Sequence, residues 1–435
     1  MEEKFELMTT EMKQHLCNVI LPFWLRRRDD VNGGFNGYMN YELQDDPKAV
    51  KGGILNSRIL WLFSSVIRAM NEGQINDSDL QGYTGEDIRK AADHAYEFLR
   101  DVIYDREKGG LYWSVTYAGR PYDTTKHTYN QGFGIYGLSA YYEITGNQEA
   151  LDLANDLFDI IESHCCDAGG YGEAYKRDFS PASNEKLSEN GVMAQRTMNT
   201  LLHVYEGYAK LLEALKENDA DPALIKKVSE RMIFQLNIFN EKIYNPEKHR
   251  QEVFFDKEYN SLIDLHSYGH DIETAWLIRW GIEVLKTQPA VKDHDQLLAD
   301  IQDMAVDLTD KILDDCFEGH SLPAEKEGNE VHDHRVWWVQ AETVNGFLYE
   351  YISSGNEKYL DAALSEWEYI KEKSIDHRKG SEWFWELYAD GSPVPDRPIV
   401  EEWKCPYHNG RMVLLTLKLF ERGYQNDTKD YQAAS

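Results

Sequence analysis

The sequence predicts an all-α chain folded as an (α/α)6 barrel, six inner helices ringed by six outer ones, with short β-hairpins in the loops. Three observations predict it. Apolar residues recur at helical spacing in about a dozen segments, separated by loops rich in Gly, Asp, Asn and Pro. Every second segment, starting near residues 53, 127, 196, 270, 335 and 406, returns at a spacing of roughly 65 to 75 residues. Units of that size are longer and more divergent than solenoid repeats, which run about 20–50 residues, so closure into one domain over residues 1–435 is expected.

Taken in order, helices are expected at 5–28, 53–72, 85–103, 127–145, 147–164, 196–216, 221–240, 270–286, 294–315, 335–354, 357–374 and 406–422. Two ends carry explicit signals: "TGNQEALDLANDLF" stops at Gly146 and restarts with Asn147 as a cap, and "SSGNEKYLDAAL" repeats this at Gly355 and Asn356. Joins this short make antiparallel helix pairs. The remaining joins carry "DDVNGGFNGY", "DREKGGLYWSV", "DAGGYGEAY" and "HRKGSEWFWELYADGSP", which read as hairpins with a ligand-facing edge. "GFGIYG" at 132–137 satisfies G-x-G-x-x-G but follows no strand and opens no βαβ unit, so its glycines are assigned to close helix packing and not to a dinucleotide.

Composition narrows the ligand. With 76 acids against 46 bases the net charge is −30, which argues against nucleic acid and anionic membranes, whose binding needs clustered cations. "MEEKFELMTTEMKQHL" has no basic region followed by an apolar run, and no stretch approaches the ~18 apolar residues of a membrane span. The five cysteines are odd in number and scattered, which fits neither a disulfide framework nor a zinc site. A cytoplasmic monomer acting on a small neutral or cationic molecule is expected. The 27 Tyr and 11 Trp, many in loops beside Gly or Asp, suit a ligand with alternating apolar and hydroxyl faces, as a sugar has.

If every second helix is inner, their first turns line one pocket. Arg58, Tyr129, Asn199, His270, Trp338 and His408 stand there at steps of 71, 70, 71, 68 and 70 residues, and His203, Glu273, Trp337 and Glu342 accompany them. His270 and Glu273 at i,i+3 share a helical face, where a carboxylate can hold an imidazole and raise its basicity. His408 follows Pro406, a residue suited to a first helical turn, and Trp403. Two histidines from opposite repeats then face one another as proton carriers. Arg58 sits in the apolar "GGILNSRILWLFSSVI", so it needs an anion: a reaction oxyanion, or a buried acid such as Glu342. Trp337, Trp338, Trp383, Trp385 and Trp403 are candidates to stack on sugar faces. Metal ligation is not expected: His266, His270 and Glu273 lie close in sequence and "VHDHR" adds His332 and His334, but there is no HExxH and no cysteine ligand set.

"ILPFWLRRRDDVNGGFNGYM", "KGGILNSRILW", "KHTYNQGFGIYGLSAYYEITG", "DLHSYGHDIETAW", "HRVWWVQAE" and "WKCPYHNGRM" together resemble the cellobiose-active branch of the N-acylglucosamine 2-epimerase superfamily, from about residue 15 to residue 420. The resemblance implies an (α/α)6 barrel that needs no metal or nucleotide cofactor. The implied reaction interconverts the reducing-end glucose and mannose of β-1,4-linked disaccharides, cellobiose to glucosyl-mannose and also lactose to epilactose. It places the catalytic histidines on His270 and His408, the histidine-supporting glutamate on Glu273 and the arginine on Arg58. Sugar contacts fall on Tyr129, Asn199, His203, Trp403 and one of Trp337 and Trp338. The sequence departs from the pattern in "NEGQINDSDLQGYTGED" and "RRRDD", neither of which touches a motif.

On this reading one histidine assists ring opening, His408 removes the C2 proton to give a cis-enediolate, and Arg58 stabilises its charge. Reprotonation comes from His270 or from His408, with Glu273 holding His270. The alternatives are an N-acylglucosamine 2-epimerase or mannose isomerase, or an inverting glycosidase using Glu273 and Glu342 across about 6.5–9.5 Å.

Overall fold

The computed structural model describes residues 2–218 and 220–433. Six inner helices, Gly53–Asn71, Thr128–Thr145, Met198–Glu217, Tyr268–Leu285, Trp337–Ser354 and His408–Ala433, pack each on the next, and the last returns to the first to close the ring. Outside them lie Glu2–His15, Gly85–Phe98, Gln148–Ile160, Pro222–Ile238, Asp295–Lys311 and Glu357–Tyr369. The chain is an (α/α)6 barrel.

The caps act as their residue types dictate. Gly146 and Gly355 turn left-handed at φ 66° and 68°, where a side chain would be strained, and Asn147 and Asn356 accept the free amides of Ala150 and Lys358. "GFGIYG" lies wholly within an inner helix, as its assignment to packing requires. A Cβ on Gly207 would stand 2.6 Å from the Gly132 carbonyl oxygen, and one on Gly137 would stand 2.5 Å from that of Ser57.

One feature was invisible in the apolar pattern. Each outer helix ends in a five-residue π turn: Leu16–Ile20, Leu99–Ile103, Ile161–Cys165, Phe239–Ile243, Ile312–Cys316 and Ile370–Ser374. The first and last residue of every one is buried, so the wider turn lets both ends of the segment reach the core. The first helical stretch then continues through Leu21–Leu25 and stops short of the expected residue 28, while the last begins at His408 and runs on to Ala433.

Five inner helices are entered through short strands. Lys51–Gly52, Lys126–His127, Arg196–Thr197, Leu265–Ser267 and Arg335–Val336 pair antiparallel with Ser114–Val115, Ala174–Tyr175, Phe254–Phe255, Glu325–Glu327 and Glu386–Leu387. Each partner strand follows the next outer helix, so the pairing ties both ends of a helix pair together at one mouth of the barrel. The expected hairpins are minimal: Cys166–Asp167 pairs with Gly170–Tyr171, and bridges join Arg28 to Phe35, Tyr104 to Leu111 and Ile375 to Trp383. Among the described residues no helix is long and apolar enough to cross a membrane.

Candidate active site

At that mouth opens a cavity of about 900 Å³. All the residues expected at the site line it except Glu342 and Trp383, and Trp383 is instead a core residue, fully buried with its indole N–H donated to His15 Nε2 at 2.7 Å. The strands set the height of each first turn, which is why residues some 70 apart in sequence converge.

His270 and His408 stand on either side of Trp338, whose ring centroid is 4.7 Å from the first imidazole and 5.6 Å from the second. Trp337 lies deeper, against Trp385, and its indole N–H has no partner among the described residues. Both tryptophans therefore reach the cavity, with Trp338 between the histidines. Trp403 packs edge-on to Trp113 and Tyr129. Asn199 Oδ1 is likewise without a partner, a free acceptor on the wall.

Arg58 is buried and finds no carboxylate among the described residues. Its guanidinium donates to the Tyr129 hydroxyl at 2.8 Å and the Trp403 carbonyl at 3.3 Å, and it lies over the rings of Phe133 and Tyr407 at 4.2 and 4.5 Å. The pairing with Glu342 is absent because Glu342 is already saturated. A guanidinium held by neutral groups keeps its full charge for an anion in the cavity.

Two expectations are corrected. Glu273 does not hold His270: it accepts from Arg411, while His270 Nδ1 shares a 2.7 Å hydrogen bond with Ser267 Oγ. The i,i+3 spacing puts Glu273 one turn deeper, towards the barrel axis, and the hydroxyl at the helix entry takes the ring nitrogen first. Glu342 is not a substrate contact: it lies behind His408, accepting from His408 Nδ1 at 2.8 Å, Arg411 at 2.7 Å, the Trp276 indole at 2.9 Å and Asn345 at 3.1 Å.

The residues missed are those beneath the histidines. Arg411, fully buried, donates to Glu206 at 2.6 Å and to Glu273 and Glu342, and Tyr407 donates to Glu206. His203 Nδ1 bonds Glu206 at 2.9 Å. Glu382 anchors the final motif, accepting from Lys404 at 2.6 Å and Asn409 at 2.5 Å. A signal existed: Glu206, Glu273 and Arg411 each follow a pocket histidine by three residues, so a charged layer repeats with the histidine layer.

Burial pushes the pKa of both His270 and His408 down to about 3, and lowers that of His203 against the pull of Glu206. All three are neutral near pH 7, the form that can accept a proton. Burial also opposes ionisation of Glu342, but Arg411 and His408 outweigh it and hold its pKa down. Glu342 is thus an acceptor only, so His408 carries its proton on Nδ1 and leaves Nε2 bare.

A carboxylate oxygen of Glu273, one of Glu342 and a nitrogen of His408 lie within 4.8 Å of one another, a spacing compatible with a metal. Arg411 supplies positive charge there already. The same closeness is shorter than an inverting pair of carboxylates requires, and both acids are turned to one guanidinium, which removes the glycosidase alternative.

The family described as N-acylglucosamine 2-epimerase (GlcNAc 2-epimerase) matches residues 37–409. A cellobiose 2-epimerase of Eubacterium cellulosolvens is 47% identical over 413 residues, covering 93% of this chain and 97% of its own. One of Ruminococcus albus is 43% identical over 408 residues, covering 94% and 98%. The solved structure of cellobiose 2-epimerase from Bacillus thermoamylovorans superimposes with a TM-score of 0.85 at 38% identity, over 95% of this chain and 99% of that one. With the barrel, the paired histidines and relatives matching end to end, the chain belongs to the N-acylglucosamine 2-epimerase family.

Proposed function

We propose that the chain is a cellobiose 2-epimerase, interconverting the reducing-end glucose and mannose of β-1,4-linked disaccharides, cellobiose to glucosyl-mannose and lactose to epilactose. One observation carries the reading: two neutral imidazoles face one cavity across Trp338, one tied to an ionised carboxylate and the other to a hydroxyl. The relatives named above carry the same activity in their names.

The two partners divide the labour. Glu342 fixes one tautomer of His408, so its bare Nε2 removes the C2 proton and the carboxylate stabilises the imidazolium that forms. Ser267 can donate to His270 or accept from it, so His270 can act as acid or base, as ring opening at O5 and O1 demands and as reprotonation of the opposite face would. Arg58 balances the charge on O1 and O2 of the enediolate. Asn199, His203, Trp337, Trp338, Trp403 and Tyr129 hold the sugar. The whole chain acts as one catalytic unit, a cytoplasmic monomer with no resident metal and no nucleic-acid or membrane partner; its charge of −30 and unpaired cysteines support that setting.

Incubation with cellobiose is expected to yield glucosyl-mannose without free glucose, and in D₂O the C2 hydrogen exchanges with solvent. His270→Ala and His408→Ala each lower kcat by about 10²–10⁴-fold or more. Epimerisation with the C2 label retained, or undiminished in either variant, sinks the two-histidine scheme.

A further inference from the structure

At the floor of the cavity three carboxyl groups converge on one cation. Glu206 is satisfied by His203, Tyr407 and Arg411, and Glu342 by His408, Arg411, Trp276 and Asn345. Glu273 has Arg411 alone, through Oε1; its Oε2 is buried and meets no partner among the described residues. The other groups facing it are Tyr129, Tyr407 and His408, whose Nδ1 is 3.9 Å from Oε1, with Arg58, His203 and His270 beyond. The histidines are neutral, so two guanidinium charges stand against three carboxyl groups. Two carboxylates balance the site, and a third leaves an uncompensated buried charge.

We propose that Glu273 works as an un-ionised carboxylic acid, holding the one proton that the three carboxyl groups around Arg411 share. The choice of Glu273 follows from its hydrogen bonds: a carboxylate whose second oxygen is buried with no donor is the least stable of the three. Burial and the neighbouring Glu342 charge both push its pKa up, against Arg411. Glu273 is a positioning residue. Held neutral, it leaves Glu342 as the sole anion on His408, and the site is balanced before reaction. Transfer of the C2 proton to His408 Nε2 then creates one imidazolium and one enediolate, while the proton on Glu273 stays in place.

The proposal deepens the epimerase reading and rests on it for its kinetic arm, so one arm needs no turnover. Infrared difference spectra of the full chain at neutral pH, wild type minus Glu273→Gln, should show loss of a carboxylic-acid C=O band, and wild type minus Glu342→Gln should show the same loss, because the two carboxyl groups left are then balanced as carboxylates. In turnover of cellobiose, Glu273→Gln is expected to restore most of the kcat that Glu273→Ala loses, to within about tenfold of wild type, and Glu342→Gln to fall by about 10²–10⁴-fold. A neutral amide in place of a neutral acid keeps the bond to Arg411, so Glu273→Gln should also unfold at a urea midpoint no lower than wild type. A band unchanged by the substitution, a Glu273→Gln chain that does not fold, or a kcat loss equal to that of Glu342→Gln overturns the proposal. If the wild type itself does not epimerise cellobiose, the functional reading fails, and the band and the midpoint still decide the protonation state.

Discussion

Between His270 and His408 the difference of greatest consequence is the atom on each Nδ1. An ionised carboxylate makes one histidine a base of fixed tautomer, and a hydroxyl leaves the other free to change roles. Ser267→Ala should remove the hydroxyl without disturbing the charged layer. A neutral hydrogen bond is worth about 1 kcal/mol, roughly a fivefold change, so kcat is expected to fall by about that factor with KM nearly constant. Steady-state kinetics check this, and a rise in KM alone would assign Ser267 to sugar binding. At this scale the sequence was informative about identity and less so about pairing. His270, His408 and Arg58 were legible because polar residues recur in step at the starts of apolar helices. The partner of each was not, because a helical period says which residues share a face and nothing about how deep each reaches. Glu273 was assigned to the histidine on its own helix, yet it belongs to Arg411, which lies 138 residues away.

The helices themselves were nearly all legible, since 3.6-residue periodicity with Gly and Asn at the breaks is a local signal. The π turns and entry strands were not, because both answer to partners remote in sequence. An outer helix widens its last turn so that two residues reach the core, and a two-residue strand has no periodicity to read. Contact between inner helices is close where Gly207 meets Gly132. Gly207→Ala puts a methyl group against backbone that cannot move aside, so it should destabilise by about 1–3 kcal/mol although alanine favours helix. A lower urea midpoint with an unchanged m-value is the expected result, and a raised midpoint would show that the helices can separate.

For the molecule as a whole, buried titratable groups set the response to pH. His15, His127, His270 and His408 are held down to about 3, 4, 3 and 3 by burial from an ordinary 6.5, so the unfolded chain binds more protons below that value. Their contribution to stability is lost as pH falls from about 6.5 towards 3. Burial raises Glu173 and Glu402 to about 7 from 4.5, and raises Glu366 and Glu273 also. For these the folded state binds more protons, so their contribution is full below about 4.5 and is lost as pH rises through about 7. The opposing slopes overlap between about 4.5 and 6.5. Urea midpoints measured across pH should therefore be flat in that window, fall steeply below it and gently above. A single sharp optimum would mean that the buried histidines or the buried acids ionise freely. The closed ring was legible at this scale because a period of roughly 70 residues repeated six times has few other solutions. Its charge balance was not, since a net −30 says nothing about which acids are buried.

The strand pairs at the mouth carry one more consequence. Lys51 meets Val115, Lys126 meets Tyr175, Arg196 meets Phe255, Leu265 meets Glu327 and Arg335 meets Leu387, so five helix pairs are each clasped shut at their own ends. Chain outside a clasp is not tied in this way. Segments between clasps bring Leu187, Glu189, His334 and Arg397 to the cavity. The mouth can therefore lengthen, shorten or change its amino acids from one relative to another while the catalytic ring beneath stays where it is. Substrate range can drift in a lineage without refolding the enzyme.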